Sequence, residues 1–212
     1  MLREETVEPG TLELLKKIIS IPDLSHFRLV GGTALSLLYG HRKSIDLDLF
    51  TTQNLEKEIL SEILTDSFLS FTSLENKSKA ILQCYIQDIK VDFVSLKDQF
   101  IHLPDIIDNI PFAHIEDLGA LKLNAIKGRG AKKDFWDIEK LLQHYSLDNL
   151  LNFYQKRYPY DDTFAVMRSI VYFVDADEEA DPELMETKTW GEVKINIKKA
   201  FKDYYNQKLN KK

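Results

Sequence analysis

The sequence predicts an α/β (α+β) fold with a mixed sheet, followed by a helical C-terminal region. Up to about residue 112, short runs of β-type composition alternate with segments of helical spacing. From Ile115 onward, the apolar residues recur at helical spacing only. We therefore expect an α/β core over residues 1–112 and a helical region over residues 113–212.

The elements follow from periodicity and from turn signals. Apolar residues three or four positions apart, ended by glycine or proline, predict helices over residues 11–19, 33–39 and 55–65. Runs of β-branched and aromatic residues predict strands over 27–30, 45–50, 68–74, 80–86 and 89–94. Beyond the core, helical patterns cover 115–127, 132–145 and 147–158. The predicted order is a sheet first and a helical bundle second.

Composition narrows the class of protein. The chain is 44% hydrophobic and 29% charged, and it has no apolar stretch long enough for a transmembrane helix, so we expect a cytoplasmic protein without a membrane partner. The single cysteine, Cys84, excludes a disulfide framework and a cysteine-rich zinc site. A net charge of −6 argues against coating nucleic acid by charge alone. Basic clusters at residues 122–133 and 194–212 can still bind a polyanion locally.

Two aspartates alternate along the predicted strand 45–50. Asp46 and Asp48 lie on one side, whereas Ile45, Leu47 and Leu49 lie on the other, which suits burial. Such a pair can provide oxygen ligands for Mg²⁺, although a solvated polar strand face explains it equally well. Asp92 points away from the apolar face of strand 89–94 and can complete a metal triad if the two strands are neighbours. Considered alone, Asp92 is better explained as an exposed residue of the sheet.

The turn before the aspartate strand suits phosphate. Gly31, Gly32 and Thr33 connect a short strand to a helix, and glycines with free helix N–H groups permit close approach of a phosphate. A simple helix-start turn explains the glycines about as well, and the Thr33 hydroxyl suits either phosphate or the helix cap. His41 and Arg42 can contact phosphate or fix the loop through hydrogen bonds to Asp46 or Asp48.

Residues 29–50, LVGGTALSLLYGHRKSIDLDLF, resemble the signature of the AbiEii/AbiGii-type toxin nucleotidyltransferases, within the DNA polymerase β-like superfamily. The Gly-His-Arg-x-Ser-x-Asp-Leu-Asp-Leu-Phe form, which includes Ser44, is typical of this branch. Where the wider superfamily usually has serine, this chain has Gly32, so Thr33 or backbone N–H groups must hold the phosphate. The resemblance implies a polymerase β-like core.

Residues 115–142 resemble the second conserved region of the same family. The resemblance implies that Lys122 is a catalytic or triphosphate-binding lysine and that Asp134 is the distal active-site aspartate, with Asp137 as a substitute or helper. Arg129 lies on roughly the same side as Lys122 and can also bind the triphosphate. Without the family pattern, Lys122 is better explained as a solvated lysine, and the two aspartates equally well as acids that favour the helix dipole.

The resemblance implies a nucleotidyltransferase that uses Mg²⁺ (or Mn²⁺) and a nucleoside triphosphate. It further implies the toxin of a toxin–antitoxin or phage-defence pair, with tRNA as acceptor and an antitoxin protein as partner. Two alternatives stay open: a small-molecule nucleotidyltransferase of the antibiotic-modifying kind, and a non-catalytic nucleotide-binding module. The aromatic residues between 145 and 173 can stack on RNA bases, but aromatics at such spacing more often pack a helical core.

Overall fold

The computed structural model describes residues 1–210, so the last two lysines of the basic C-terminus lie outside the described part. Its centre is a mixed seven-stranded sheet with the strand order β3-β4-β5-β2-β1-β7-β6. The strands are β1 (Arg28–Val30), β2 (Leu47–Thr51), β3 (Phe71–Ser73), β4 (Ile81–Ile86), β5 (Ile89–Ser95), β6 (Asp105–Ile107) and β7 (Ile110–Phe112). The predicted α/β class is confirmed.

The register in the middle of the sheet places two aspartates side by side. Strand β2 runs antiparallel to β1 and parallel to β5, and Asp48 is directly opposite Asp92. Strands β4 and β5 form a hairpin whose two turn residues, Gln87 and Asp88, both have positive φ. This turn type matches the twist of antiparallel strands and fixes their pairing. Asp88 therefore belongs to the turn between the predicted strands 80–86 and 89–94.

Helices cover the sheet and form the C-terminal region. They are α1 (Pro9–Ile19), α2 (Gly31–Tyr39), α3 (Lys57–Ser67), α4 (Ile115–Gly128), α5 (Lys132–Leu142), α6 (Leu147–Arg157), α7 (Thr163–Ser169), α8 (Val174–Asp177) and α9 (Trp190–Leu209). Helix α2 packs on β1, β2, α4 and α5. One continuous buried cluster joins the sheet to these helices, so the change from sheet to helices after Phe112 does not interrupt the core.

Two details differ from the sequence-based expectation. Ile45 is 65% exposed because β2 begins only at Leu47, and the buried face of that strand is formed by Leu47, Leu49 and Thr51. The short hairpin of β6 and β7 was not expected, since its strands have three residues each and β7 contains Pro111. Its pairing with β1 nevertheless extends the sheet beyond the aspartates.

No helix of residues 1–210 is both long enough and apolar enough to cross a membrane.

Candidate active site

A cavity of about 310 Å³ lies between the aspartate strands and helix α4. Backbone at Gly31 and Gly32 lines one part, and apolar side chains of β2, α4 and the loop after β5 line another. Its charged and polar lining residues are Arg42, Ser44, Asp46, Asp48, Lys90, Asp92, Lys122, Asn124, Arg129, Lys133 and Tyr158. Residues predicted as catalytic from both conserved regions thus meet in one place.

Asp46, Asp48 and Asp92 form the acidic part of the cavity. Asp48 and Asp92 are neighbours across two parallel strands, and Asp46 immediately precedes β2. Burial, together with the negative charges of Asp92 and Asp46, raises the pKa of Asp48, and the positive charge of Lys122 only partly opposes this. No lysine or arginine among residues 1–210 forms an ion pair with Asp48, so its negative charge is only partly compensated.

Asp92 is held by two neighbours on the sheet. Gln83 of β4 donates from Nε2 to both carboxylate oxygens, at 3.3 and 3.2 Å. Lys90, two residues earlier on the same face of β5, places its Nζ 3.2 Å from Oδ2. Sequence inspection assigned no role to Lys90, although its alternation with Asp92 was a signal that could have placed it in the site.

The two glycines leave space for the side chains that face them. Gly31 has φ +73°, and a Cβ at this position would lie 2.0 Å from Oδ2 of Asp48. At Gly32, a Cβ would lie 2.2 Å from Nη2 of Arg42. Any larger residue would therefore displace a side chain of the cavity. The Gly-Gly pair is required by the packing of Asp48 and Arg42, in addition to its expected role beside a phosphate.

Thr33 lies behind the cavity instead of in its wall. Its side chain is buried, and its hydroxyl donates to the carbonyl oxygen of Asp46 and shares a 2.8 Å hydrogen bond with Ser44. It caps no helix, since α2 begins after Val30 without a side-chain cap. Thr33 therefore positions the loop that holds Ser44 and Asp46, and its hydroxyl is not available to phosphate.

Asp137 is the centre of a buried cluster of cations. Arg42 donates to its two oxygens at 2.7 and 2.9 Å, and Nε2 of His41 is 2.7 Å from Oδ1. The Nζ of Lys122 lies 2.7 Å from Oδ2. Burial alone would raise the pKa of Asp137, but the charges of Arg42 and Lys122 with the hydrogen bond from His41 hold it well below its usual range. The expected bonds from His41 and Arg42 to Asp46 or Asp48 are wrong: both residues bind Asp137.

Asp134 completes this cluster on the side of Lys122. It is fully buried, 3.0 Å from Nζ of Lys122, and bound bidentately by Arg129 at 2.8 and 3.0 Å. Burial favours a higher pKa, but Lys122 and Arg129 lower it. Asp134 and Asp137 do not line the cavity, whereas Lys122, Arg42 and Arg129 do. The two aspartates hold the cations at the cavity wall.

The donor set of the cavity fits a hard divalent cation, because Mg²⁺ and Mn²⁺ prefer carboxylate oxygens. The raised pKa of Asp48 in a crowded acidic site is also relieved by a cation. Within residues 1–210, no three His, Cys, Asp or Glu side chains form a complete metal-binding group on their own. Mg²⁺ commonly takes one or two carboxylates and obtains its other ligands from substrate phosphates and water, so this partial set is compatible with it.

The cavity contains three further polar residues. Lys133 is exposed at the rim and forms no ion pair with any described residue; it belongs to the basic cluster 122–133. Asn124 lies one half-turn from Lys122 on α4, and Tyr158, one of the aromatic residues between 145 and 173, follows α6. No sequence signal indicated Asn124, and only the packing of α4 and α6 brings Tyr158 to the cavity.

A mixed sheet with paired aspartates, a glycine turn and a lysine on a facing helix defines this chain as a nucleotidyltransferase. The model of the family described as "nucleotidyl transferase AbiEii toxin, type IV TA system" matches residues 13–207. The chain belongs to this toxin family, as its two motif regions predicted. Membership implies a nucleoside triphosphate substrate and an antitoxin partner.

Other proteins are similar to this chain over most of its length. The protein aq_aa25 of Aquifex aeolicus (strain VF5) is 32% identical over 196 residues, which are 91% of this chain and 94% of the relative. JHP933 from Helicobacter pylori has a similar fold, with a TM-score of 0.56 and 19% identity over 99% of this chain and 97% of that one. MenT4, a nucleotidyltransferase toxin from Mycobacterium tuberculosis H37Rv, has a TM-score of 0.50 and 12% identity over 90% of this chain and 81% of that one.

Proposed function

We propose that this protein transfers a nucleoside monophosphate from a triphosphate to a hydroxyl of tRNA, with Mg²⁺ or Mn²⁺ bound by Asp46, Asp48 and Asp92. The observation that carries the proposal is the direct pairing of Asp48 with Asp92 in a cavity that also contains the Gly31 backbone and Lys122. In the reaction, the acceptor oxygen bonds to the α-phosphorus, and the bond from that phosphorus to pyrophosphate breaks.

The charge of each cavity residue suggests its role in this reaction. The bound divalent cation would neutralise triphosphate oxygens and orient them. Lys122 and Arg129, fixed by Asp134, place positive charge beside the leaving pyrophosphate. Arg42 and Ser44 lie with Gly31 and Gly32 where phosphates would bind. Asp92 completes the metal ligands or accepts the proton of the acceptor hydroxyl. The helical region 113–212 completes the cleft through α4 and α5.

The biological role that we propose is growth inhibition by RNA modification, reversed by a cognate antitoxin within a toxin–antitoxin or phage-defence pair. The family assignment supports the toxin role. The tRNA acceptor is our proposal, and cations at the cavity rim support it: Lys133 is free of ion pairs among the described residues, and Arg129 is 60% exposed. An acidic chain with cations concentrated at one opening binds a polyanion there specifically.

A direct test is incubation with Mg²⁺, each labelled nucleoside triphosphate and total tRNA. Wild type is expected to label RNA, and Asp48→Asn is expected to reduce labelling to background. Asp88→Asn is the matched control, because Asp88 lies in the exposed turn beside β5 and asparagine tolerates its positive φ. Equal labelling by wild type and Asp48→Asn would overturn the proposal.

The same assay separates the two alternatives. Transfer to small hydroxyl compounds but not to RNA would indicate a small-molecule nucleotidyltransferase. Binding of triphosphate without turnover, unaffected by Lys122→Ala, would indicate a non-catalytic binding module.

A further inference from the structure

Three exposed aromatic side chains come shortly after Tyr158, a cavity-lining residue, in the sequence. Tyr160 is fully exposed, and Phe164 and Tyr172 are 61% and 55% exposed. Most other aromatics of the helical region, such as Tyr154, are buried or half-buried, as expected for core packing. Three large rings left in water at intervals of four and eight residues are not explained by the core of the chain.

Arg168 extends this aromatic set. It is exposed, lies one helical turn after Phe164, and pairs with no acidic side chain of residues 1–210. Together with Tyr172 it lines a surface hollow of about 370 Å³, whose other lining residues are the small Ala165 and Ser169. A guanidinium plane and a phenol ring beside one shallow hollow are the groups on which an unstacked base binds. We call Tyr160, Phe164, Arg168 and Tyr172 the aromatic stripe.

The stripe is fixed next to the helix that lines the active-site cavity. Asp161 accepts hydrogen bonds from Lys127 of α4 and from the hydroxyl of Tyr154 on α6. Helix α7 itself packs on α4, which carries Lys122 and Asn124 of the cavity. Tyr158, which lines the cavity, is two residues before Tyr160. The first ring of the stripe is therefore two residues from the cavity wall, and the helix that carries Phe164 and Arg168 packs on a helix of that wall.

The acidic residues near the stripe are mostly engaged. The carboxylate of Asp161 is neutralised by Lys127, and Asp162 accepts from the N–H of Phe164 as the cap of α7. Asp177 pairs with Lys194, whereas Asp175 and Glu178 are exposed and form no ion pair with a described residue. With few cations present, a ligand bound here would gain affinity from stacking more than from backbone charge.

We infer that the aromatic stripe binds unpaired bases of single-stranded RNA and leads the acceptor end to the cavity. This inference rests on the proposed function for the identity of the RNA as acceptor. We favour RNA as the ligand because three exposed rings and a guanidinium that is unpaired within residues 1–210 offer π-faces to successive bases, and because Tyr160 is only two residues from Tyr158 of the cavity. A protein partner on the same surface is the competing outcome.

The test measures binding of a fluorescein-labelled, unstructured RNA oligonucleotide to the full chain by anisotropy. Phe164→Ser and Tyr172→Ser are each expected to weaken binding about 5- to 100-fold, as for loss of one stacked ring. Tyr172→Phe keeps the ring and is expected to bind like wild type. The weakening should change little with salt, since no phosphate contact is removed, whereas the loss in Lys133→Gln should shrink as salt rises.

Tyr205→Ser is the matched control, because Tyr205 is 54% exposed on α9, away from the stripe. Triphosphate binding by calorimetry and thermal stability should be equal in wild type, the stripe variants and Tyr205→Ser, which separates loss of the stripe from misfolding. In the transfer assay, stripe variants should raise KM for RNA and leave kcat unchanged.

Several outcomes would overturn the inference. These are RNA binding that is unchanged in stripe variants, equal weakening by Tyr205→Ser, absence of RNA binding by wild type, or stripe variants that lose only the binding of a protein partner. Failure of the proposed function is recognised separately: stripe-dependent RNA binding without any nucleotidyl transfer would reject the transferase proposal and keep the stripe. Nucleotidyl transfer to RNA that is unchanged in the stripe variants would keep the transferase proposal and reject the role of the stripe.

Discussion

Two pairs of buried or partly buried aspartates belong to the cavity and to the cluster behind it, and their environments differ. Asp134 and Asp137 on α5 are surrounded by Arg42, Lys122 and Arg129, and their pKa values are lowered. On the sheet, Asp92 pairs with Lys90, but Asp48 forms no ion pair with a described residue, and its pKa is raised. Both acids of the first pair are compensated within the protein, whereas Asp48 of the second pair is not. This difference separates the residues that build the site from those that would hold its metal.

Removing the centre of the compensated pair should have the largest effect on stability. Asp137→Ala leaves Arg42 and Lys122 buried without a partner, which typically costs about 3–5 kcal/mol. We expect urea denaturation at neutral pH to show a loss of unfolding free energy of this size. Asp66→Ala, an exposed position on α3, should change it little. If both variants were equally stable, the proposed structural role of Asp137 would be wrong.

Gly31→Ala should displace Asp48 and should lower the unfolding free energy less than Asp137→Ala does. The positive φ and the contact with Asp48 predict a loss of about 1–3 kcal/mol, together with a large loss of transferase activity, because Asp48 must move. Gly40→Ala is a close control: its φ is +71°, but its Cβ would meet only the flexible side chain of Arg3, at 3.1 Å. It should lose similar stability and keep its activity. Equal activity of the two variants would argue against the tight placement of Asp48.

Of the three variants, Asp48→Asn should change the unfolding free energy least, and any change should be an increase instead of a loss. A carboxyl group whose pKa is raised on folding destabilises the folded state at neutral pH, where it must be ionised. In EDTA, we expect the unfolding free energy of Asp48→Asn to equal or exceed that of wild type by up to about 1 kcal/mol. Added Mg²⁺ should raise the Tm of wild type and of Asp88→Asn, but not of Asp48→Asn. If added Mg²⁺ left the Tm of wild type unchanged, Asp48 and Asp92 would not be the metal site.

The sequence predicted the features that depend on local patterns, and it missed those that depend on contacts between distant residues. The alternation around Asp48 and the glycine turn are local patterns, so the strand and the turn followed from them, whereas the class of protein followed from the resemblance of residues 29–50 to a family signature. The partner of His41 and Arg42 was missed because Asp137 is more than 90 residues away along the chain. For the Thr33 hydroxyl, the sequence allowed a phosphate contact or a helix cap, because no local pattern shows that this hydroxyl is already used by Asp46 and Ser44. Ile45 was expected inside because alternation alone does not show where a strand begins.

Because of the hairpin turn at Gln87 and Asp88, the number of residues between this turn and Asp92 determines on which face of the sheet Asp92 lies. Successive side chains of a strand point to opposite faces, so the turn and the β4–β5 pairing together determine that Asp92 faces the cavity and that Val91 and Phe93 face the core. One residue inserted between Asp88 and Asp92 would exchange these faces if the pairing were kept. Relatives that retain the chemistry are therefore expected to tolerate insertions in the turn itself far better than insertions of odd length within β5.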